Sequence, residues 1–222
     1  GSSDKTALGV AYVGKIDITA LTLAKATSLT IDASQGDVDL DTVTAAKLAS
    51  VTITGDNAVV FGTTGAVTTA LASFDASAAT DVITVGQAVD FTSTASISTG
   101  TANDTVTLDV LTEANVAVAM GAKLSDSDSL VYSGANNMGT TVVDLRAADQ
   151  VSQMNGAVST SAQTGVENIS FAGFTGTQGV TITGSAAANT IVGSPNADVL
   201  TGGGGVDNIA GGAGNDTIDL TE

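Results

Sequence analysis

The sequence predicts an all-β fold, a right-handed parallel β-solenoid that ends in a tighter β-roll. Two periodicities and one compositional fact lead there. Short β-prone triplets recur every 22 residues early in the chain, and single aliphatic residues recur every nine at its C-terminal end. Small and β-branched residues (Ala, Thr, Val, Ser, Gly) dominate a chain that is 43% hydrophobic and has a single Pro. At 222 residues the chain is long enough for one large all-β domain or two small ones.

Residues 1–3 read as a cloning scar and are left out of the fold argument. The first region, 4–98, carries the 22-residue repeat. KIDI (15–18), DVDL (37–40), VVFG (59–62) and DVIT (81–84) place Ile16, Val38, Val60 and Val82 in one column. SLTI (28–31), SVTI (50–53) and, one residue late, SFDA (73–76) place Leu29, Val51 and Phe74 in a second. One such turn of chain cannot bury its apolar side alone. Turns stacked about 4.8 Å apart bury it as continuous ladders. A β-sandwich with accidental spacing is the alternative.

From 99 to 174 the period weakens into an irregular β-rich continuation. NDTVTLDVL (103–111), SLVYSG (129–134), TTVVDL (140–145) and ENISFAGF (167–174) read as strands. VLTEANVAVAMGAKL (110–124) fits a short helix or an irregular coil. AADQVSQMNGAV (147–158) is the best helix candidate, although Gly156 and its β-branched residues weaken it.

Beyond Thr175 the period becomes nine and defines a final region, 175–222. Ile182, Ile191, Leu200, Ile209 and Ile218 are spaced nine apart, and two residues before them stand Val180, Asn189, Asp198, Asp207 and Asp216. The frame is G-G-x-G-x-D-x-U-x, with U aliphatic. GGGGVDNIA (202–210) and GGAGNDTID (211–219) match every fixed position; GSPNADVLT (193–201) and GSAAANTIV (184–192) match in part. The glycine-rich half suits a tight turn with positive φ, and the D-x-U-x end suits a short strand with its aliphatic residue inward. Two nonapeptides then make one 18-residue coil, which stacks Asp198 over Asp216 and Asn189 over Asp207. Carboxylates about 5 Å apart repel unless a cation lies between them. Glycine turns also expose backbone carbonyls. A donor set of carboxylate and carbonyl oxygen suits Ca²⁺ over zinc or copper.

Residues 184–219 resemble the RTX family of secreted bacterial proteins, whose nonapeptides form Ca²⁺-binding parallel β-rolls. The resemblance implies the carboxylate role for Asp198, Asp207 and Asp216, and the carbonyl role for Gly202, Gly204, Gly211 and Ala213. Asn189 departs from the pattern and lowers the charge of its site, while Ser194 and Asn196 replace turn glycines. More loosely, the Thr-, Ala-, Ser- and Asp-rich texture is similar to that of RTX-type surface-layer proteins and large adhesins exported by type I secretion. The last residue follows the glycine motif with no closing element, so the chain reads as a piece of a longer protein.

Three further aspartates are candidate cation ligands. Asp126 and Asp128 flank a serine in SDSDS (125–129), and Asp104 occupies the acid position of GTANDTV (100–106), which resembles a decayed nonapeptide. Asp37, Asp39 and Asp41 share one strand face and read as solvated, as do Lys25 and Lys47. Arg146 reads as a local salt-bridge partner.

Composition narrows the function classes. Acids outnumber bases 23 to 6, for a formal net charge of −17, and 20 of the acids are Asp. Nucleic-acid binding and membrane insertion are not expected. Without His or Cys there is no thiol nucleophile, Ser-His-Asp triad, imidazole base or zinc site of those ligands. β-Solenoid enzymes with paired carboxylates exist, but 5 Phe, 2 Tyr and no Trp make a poor sugar platform, and no enzyme is expected. The expected role is a structural, extracellular one at the bacterial cell surface. It is that of a surface-layer lattice subunit that folds and self-associates on binding Ca²⁺. Attachment to cell-surface polysaccharide would lie in regions outside this chain. The alternatives are a non-catalytic RTX region of an adhesin, or of a secreted protease or lipase. A Thr-ladder ice-binding solenoid is a further reading, drawn from TLT (21–23) and TVT (42–44).

Overall fold

The computed structural model describes residues 6–7, 14–62, 67–87, 89–109, 116–121, 127–134, 141–148, 150–154, 157–158 and 162–220. All regular structure among them is β-strand. The strands form a parallel β-solenoid, as the repeats predict. The chain divides into two compact units, Gly1–Val106 with Val116–Asp126, and Thr107–Asn115 with Ser127–Glu222.

In the first unit the strand pairings among the described residues are parallel. One sheet contains Ser28–Ala33, Ser50–Gly55, Val67–Ala79, Val89–Ser98 and Ala117–Ala119 as successive neighbours. Its inward column is the predicted one. Leu29 pairs with Val51, Val51 with Phe74, Phe74 with Ile97 and Ile97 with Val118, and all five are buried. Ala117–Ala119 shows that the ambiguous 110–124 segment contributes a strand; most of that segment lies outside the described residues.

The second sheet contains Ile16–Ile18, Val38–Leu40, Val59–Phe61, Ile83–Val85 and the start of Thr105–Asp109. Here the predicted column slips. Ile16 pairs with Val38 as expected, but Val38 pairs with Val59 and Val59 with Ile83, so Val60 and Val82 leave the column. Side chains alternate across a strand, so a slip of one residue exchanges its two faces. With Val60 inward, Phe61 would face outward. In the observed register Val59 and Phe61 are both fully buried. The Phe61 ring meets Phe74 of the facing sheet edge-on, with centroids 5.6 Å apart and planes at 61°. Burying the ring outweighs strict repeat length. Phe74→Ala should destabilise the protein by about 3–5 kcal/mol, read from the urea midpoint at constant slope.

The second unit also has two sheets. Ser129–Gly134, Asn168–Phe174, Thr190–Val192 and Asn208–Ala210 run parallel in one. Thr141–Asp144, Val180–Thr183, Val199–Thr201 and Thr217–Asp219 run parallel in the other. Tyr132 stacks on Phe171 at 5.3 Å, and Phe171 meets Phe174 edge-on at 6.0 Å, which fills the coil before the array.

The helix expected at 147–158 does not form. Val151–Met154 and Ala157–Val158 are antiparallel strands, the first of them beside Thr141–Asp144. The two buried residues Val151 and Met154 stand three apart, a spacing that a helix face would also show. A register irregularity pairs Val142 with Gln153 but Val143 with Val151, so a bulge turns both residues to the same face. Buried Gln150 fixes the entry. Its Nε2 donates to the carbonyls of Leu145 (3.0 Å) and Val166 (3.1 Å), and its Oε1 accepts the Val166 N–H at 2.8 Å.

Candidate metal centre

Each C-terminal nonapeptide folds as a six-residue turn and a three-residue strand. The strands Thr190–Val192, Val199–Thr201, Asn208–Ala210 and Thr217–Asp219 pair at 18-residue intervals: Ile191 with Ile209, Leu200 with Ile218, and Ile182 with Leu200. The aliphatic residue of each strand faces inward. Burial fades along the array, from Ile182, Ile191 and Leu200 at 0% exposed to Ile218 at 44%.

The glycines serve two different needs. Positive φ, expected for the whole turn, occurs at the second and fourth positions: Gly203 (+83°), Gly205 (+93°), Gly212 (+99°) and Gly214 (+111°). The first position is glycine for lack of space. A Cβ on Gly193 would collide with the Gly211 carbonyl of the next coil and with Oδ2 of its own Asp198. A Cβ on Gly184 would collide with the Gly202 carbonyl, and one on Gly211 with Oδ2 of Asp216. On Gly202 it would stand 2.5 Å from Oδ2 of Asp207. The acid side chain thus folds back over the first glycine of its own repeat and fills the volume a side chain would take.

The stacking order is the predicted one, with a backbone N–H between the acids. Oδ1 of Asp216 accepts the N–H of Asp198 at 3.1 Å, and Oδ1 of Asp207 accepts that of Asn189 at 3.0 Å. Oδ1 of Asp198 in turn accepts the N–H of Val180 at 2.8 Å. The residue in register on the preceding coil is the donor each time. Glu167 repeats the arrangement, with Oε2 accepting the Asp128 N–H at 2.8 Å.

The oxygens left over differ between repeats. Asp198 is 1% exposed, and Ser194 closes it: the Ser194 N–H donates to Oδ2 at 2.7 Å and its hydroxyl to Oδ1 at 2.7 Å. Asn189 is closed in the same way by the N–H of Ser185 (2.7 Å) and its hydroxyl (3.1 Å). Its Nδ2 donates to the Glu167 carbonyl at 2.6 Å, a bond a carboxylate cannot make. Asn196, in a glycine position, ties its turn to the carbonyls of Gly176 (2.9 Å) and Gln178 (3.2 Å). In the two complete nonapeptides a glycine replaces the serine. There Oδ2 of Asp207 and of Asp216 accepts no hydrogen bond among the described residues, nor do the carbonyls of Gly202, Gly204, Gly211 and Ala213. These donors are all oxygen, which fits Ca²⁺ chemistry. Among the described residues no group of three or more acidic side chains gathers as a metal cluster, so carbonyls must complete any coordination shell.

Ser185 and Glu167 were not singled out from sequence, and Ser194 was read only as a replaced turn glycine. The available signal was a hydroxyl four residues before the acid, at the position where the complete repeats have glycine.

Elsewhere, Asp104 and Asp128 are fully buried, and Asp126 lies outside the described residues. Oδ1 of Asp104 accepts the N–H of Ile83 at 2.8 Å. Asp39 faces outward and pairs with Lys15 at 3.2 Å, while Lys25 and Lys47 are exposed. Arg146 pairs with Asp144 at 2.9 Å, and this hydrogen bond holds the Asp144 carboxyl below its ordinary pKa. Hydrogen bonds from Ser77, chiefly from its hydroxyl, do the same for Asp75. Both acids contribute stability above the ordinary carboxylate pKa that is lost as pH falls through their lowered values. Both are well solvated, so the contribution is small.

The family model of the RTX calcium-binding nonapeptide repeat (four copies) matches residues 183–218. Comparison with curated proteins and with solved structures finds no match to this chain. The matched span coincides with the 18-residue coils, whose open carboxylate and carbonyl oxygens suit the ion the family takes. Residues 183–218 are therefore RTX-type nonapeptide repeats, and the ion such repeats bind is Ca²⁺.

Proposed function

We propose that this chain is a structural segment of a secreted bacterial cell-surface protein, a surface-layer lattice subunit locked into shape by extracellular Ca²⁺. The observation that carries the reading is the contrast between closed and open repeats. Serines close Asn189 and Asp198, whereas Asp207, Asp216 and the carbonyls of Gly202, Gly204, Gly211 and Ala213 keep oxygens for a ligand. When bound, Ca²⁺ supplies positive charge between stacked acids. Asp207 and Asp216 are its principal carboxylate ligands, with Asp198 mainly a hydrogen-bond cap. Extracellular Ca²⁺ modules work at about 10⁻⁴–10⁻³ M, so the array stays loose inside a cell and sets outside it. The segment works as scaffold and has no catalytic role.

Electron microscopy of the chain with millimolar Ca²⁺, against the same sample in EGTA, tests the lattice role. Ordered sheets or regular oligomers should form only with Ca²⁺. A Ca²⁺-loaded chain that stays monomeric at high concentration overturns it, and favours the non-catalytic RTX region of an adhesin, protease or lipase.

A further inference from the structure

One turn of the first unit has the form of the array although the repeat match ends far from it. The strand Val89–Ser98 is followed by six non-strand residues, Thr99–Asp104, and then by Thr105–Asp109. The nonapeptide turn Gly193–Asp198 has the same length and local conformation, between Thr190–Val192 and Val199–Thr201. Asp104 holds the acid position, and Val106, two residues on, is the fully buried aliphatic. The hydrogen bonding also matches. Thr84 pairs with Thr105, which puts Ile83 in register with Asp104, and the Ile83 N–H donates to Oδ1 of Asp104 at 2.8 Å. That is the bond that Val180 makes to Asp198 at 2.8 Å.

The first position differs. In the array it is glycine, because a Cβ there would crowd Oδ2 of the acid. Here it is Thr99, so this turn carries a side chain at the position where the array has none. Thr99 is 3% exposed, and its hydroxyl oxygen has no hydrogen-bond partner among the described residues. Its backbone N–H is already used, by the carbonyl of Ala119 at 3.0 Å. Buried hydroxyls are normally paired. A dry hydroxyl oxygen at one end of a turn and a buried carboxylate at the other are hard-donor oxygens of the kind Ca²⁺ takes. Backbone carbonyls also crowd the turn: a Cβ on Gly100 would collide with the Ala79 carbonyl, and one on Gly121 with the Gly100 carbonyl.

We propose that the Thr99–Asp104 turn is an additional Ca²⁺ site outside the nonapeptide array, with the Asp104 carboxylate and the Thr99 hydroxyl as its side-chain ligands. It rests on the Ca²⁺ reading of the array turns and extends cation locking into the first unit. Side-chain oxygens from both ends of one turn give the ion a single-turn site, where the array shares its ligands between coils.

Bound Ca²⁺ per full-length chain, counted by native mass spectrometry and isothermal titration, tests the proposal. Asp104→Asn keeps an oxygen for the Ile83 N–H and removes the charge; Thr99→Val keeps the shape and removes the hydroxyl. Each should lower the count by one ion, with far-UV circular dichroism unchanged. A chain carrying Asp198→Asn, Asp207→Asn and Asp216→Asn should retain that one ion. An unchanged count in Thr99→Val and in a folded Asp104→Asn overturns the site while leaving the array reading intact. If Asp104→Asn does not fold, Thr99→Val decides alone. A triple-Asn chain that binds as many ions as the wild type overturns the array assignment instead.

Discussion

In EGTA the amides of Thr190–Val192, Val199–Thr201, Asn208–Ala210 and Thr217–Asp219 should lose hydrogen-exchange protection, while those of Ser28–Ala33 and Ser50–Gly55 keep theirs. The difference follows from what each coil buries. A coil of the first unit closes around several large side chains: residues 29–50 supply Leu29, Ile31, Val38, Leu40, Val43 and Leu48, all at least nine-tenths buried. An array coil buries one aliphatic residue per nonapeptide, as Ile182, Ile191 and Leu200 show. Against that thin core stand acids at 18-residue intervals, with Oδ2 of Asp207 and Asp216 accepting no hydrogen bond among the described residues. Glycine at the turn positions adds to the entropy lost on folding. If each ion binds with a dissociation constant of about 10⁻⁴–10⁻³ M, then about 10 mM Ca²⁺ stabilises the array by about 1.4–2.7 kcal/mol per ion. Removing several ions from so thin a core takes the array below its folding threshold. Equal protection with and without EGTA would show that hydrogen bonds alone hold these coils. Asp207→Asn should reproduce part of the loss at low Ca²⁺ and be rescued by more of it.

Gly193→Ala should destabilise the array by about 3 kcal/mol, at the upper end of the usual overpacking range. The added methyl meets the Gly211 carbonyl and Asp198, and both are fixed by the coil stack. The backbone must separate, and the bonds of Gly193 N–H to the Ala210 carbonyl (2.8 Å) and of Ser194 to Asp198 loosen with it. Gly204→Ala is the matched control. Its nearest neighbour atom would be 3.4 Å away, an ordinary contact, and its φ is not in the left-handed region. There the methyl mainly restricts the unfolded chain, so Gly204→Ala should be neutral or stabilising by about 0.4–1 kcal/mol. Ca²⁺-saturated thermal melts of the two variants read this directly. Equal effects would mean that turn glycines act only through chain flexibility.

Repeats made much of this fold readable. The Leu29, Val51 and Phe74 column, the nine-residue frame and the 18-residue coil follow from side chains recurring at fixed intervals, a property written along the chain. Register slips were not readable, because local spacing does not say which of two neighbouring residues a pairing will bury. Val59 displaced Val60 because Phe61 came inward with it. The bulge in Val151–Met154 was not readable either, because a three-residue spacing on one face is shared by a helix and a bulged strand.

The same division runs through the site. The residues themselves determined the donor chemistry: with no His or Cys, the polar groups of the array are carboxylates, amides, hydroxyls and carbonyls, and their spacing set the order Asp198 over Asp216 and Asn189 over Asp207. Tertiary structure decided which of those oxygens remain for an ion. Ser185 and Ser194 turn back onto Asn189 and Asp198 and satisfy them, whereas Gly203 and Gly212 at the same position have no side chain to do so. It also decided that the first glycine of each repeat is demanded by the side chain of its own repeat's sixth residue and, at Gly184 and Gly193, by a carbonyl of the next coil as well. An oxygen's identity is a property of its residue, but its availability depends on what the fold brings within hydrogen-bonding reach.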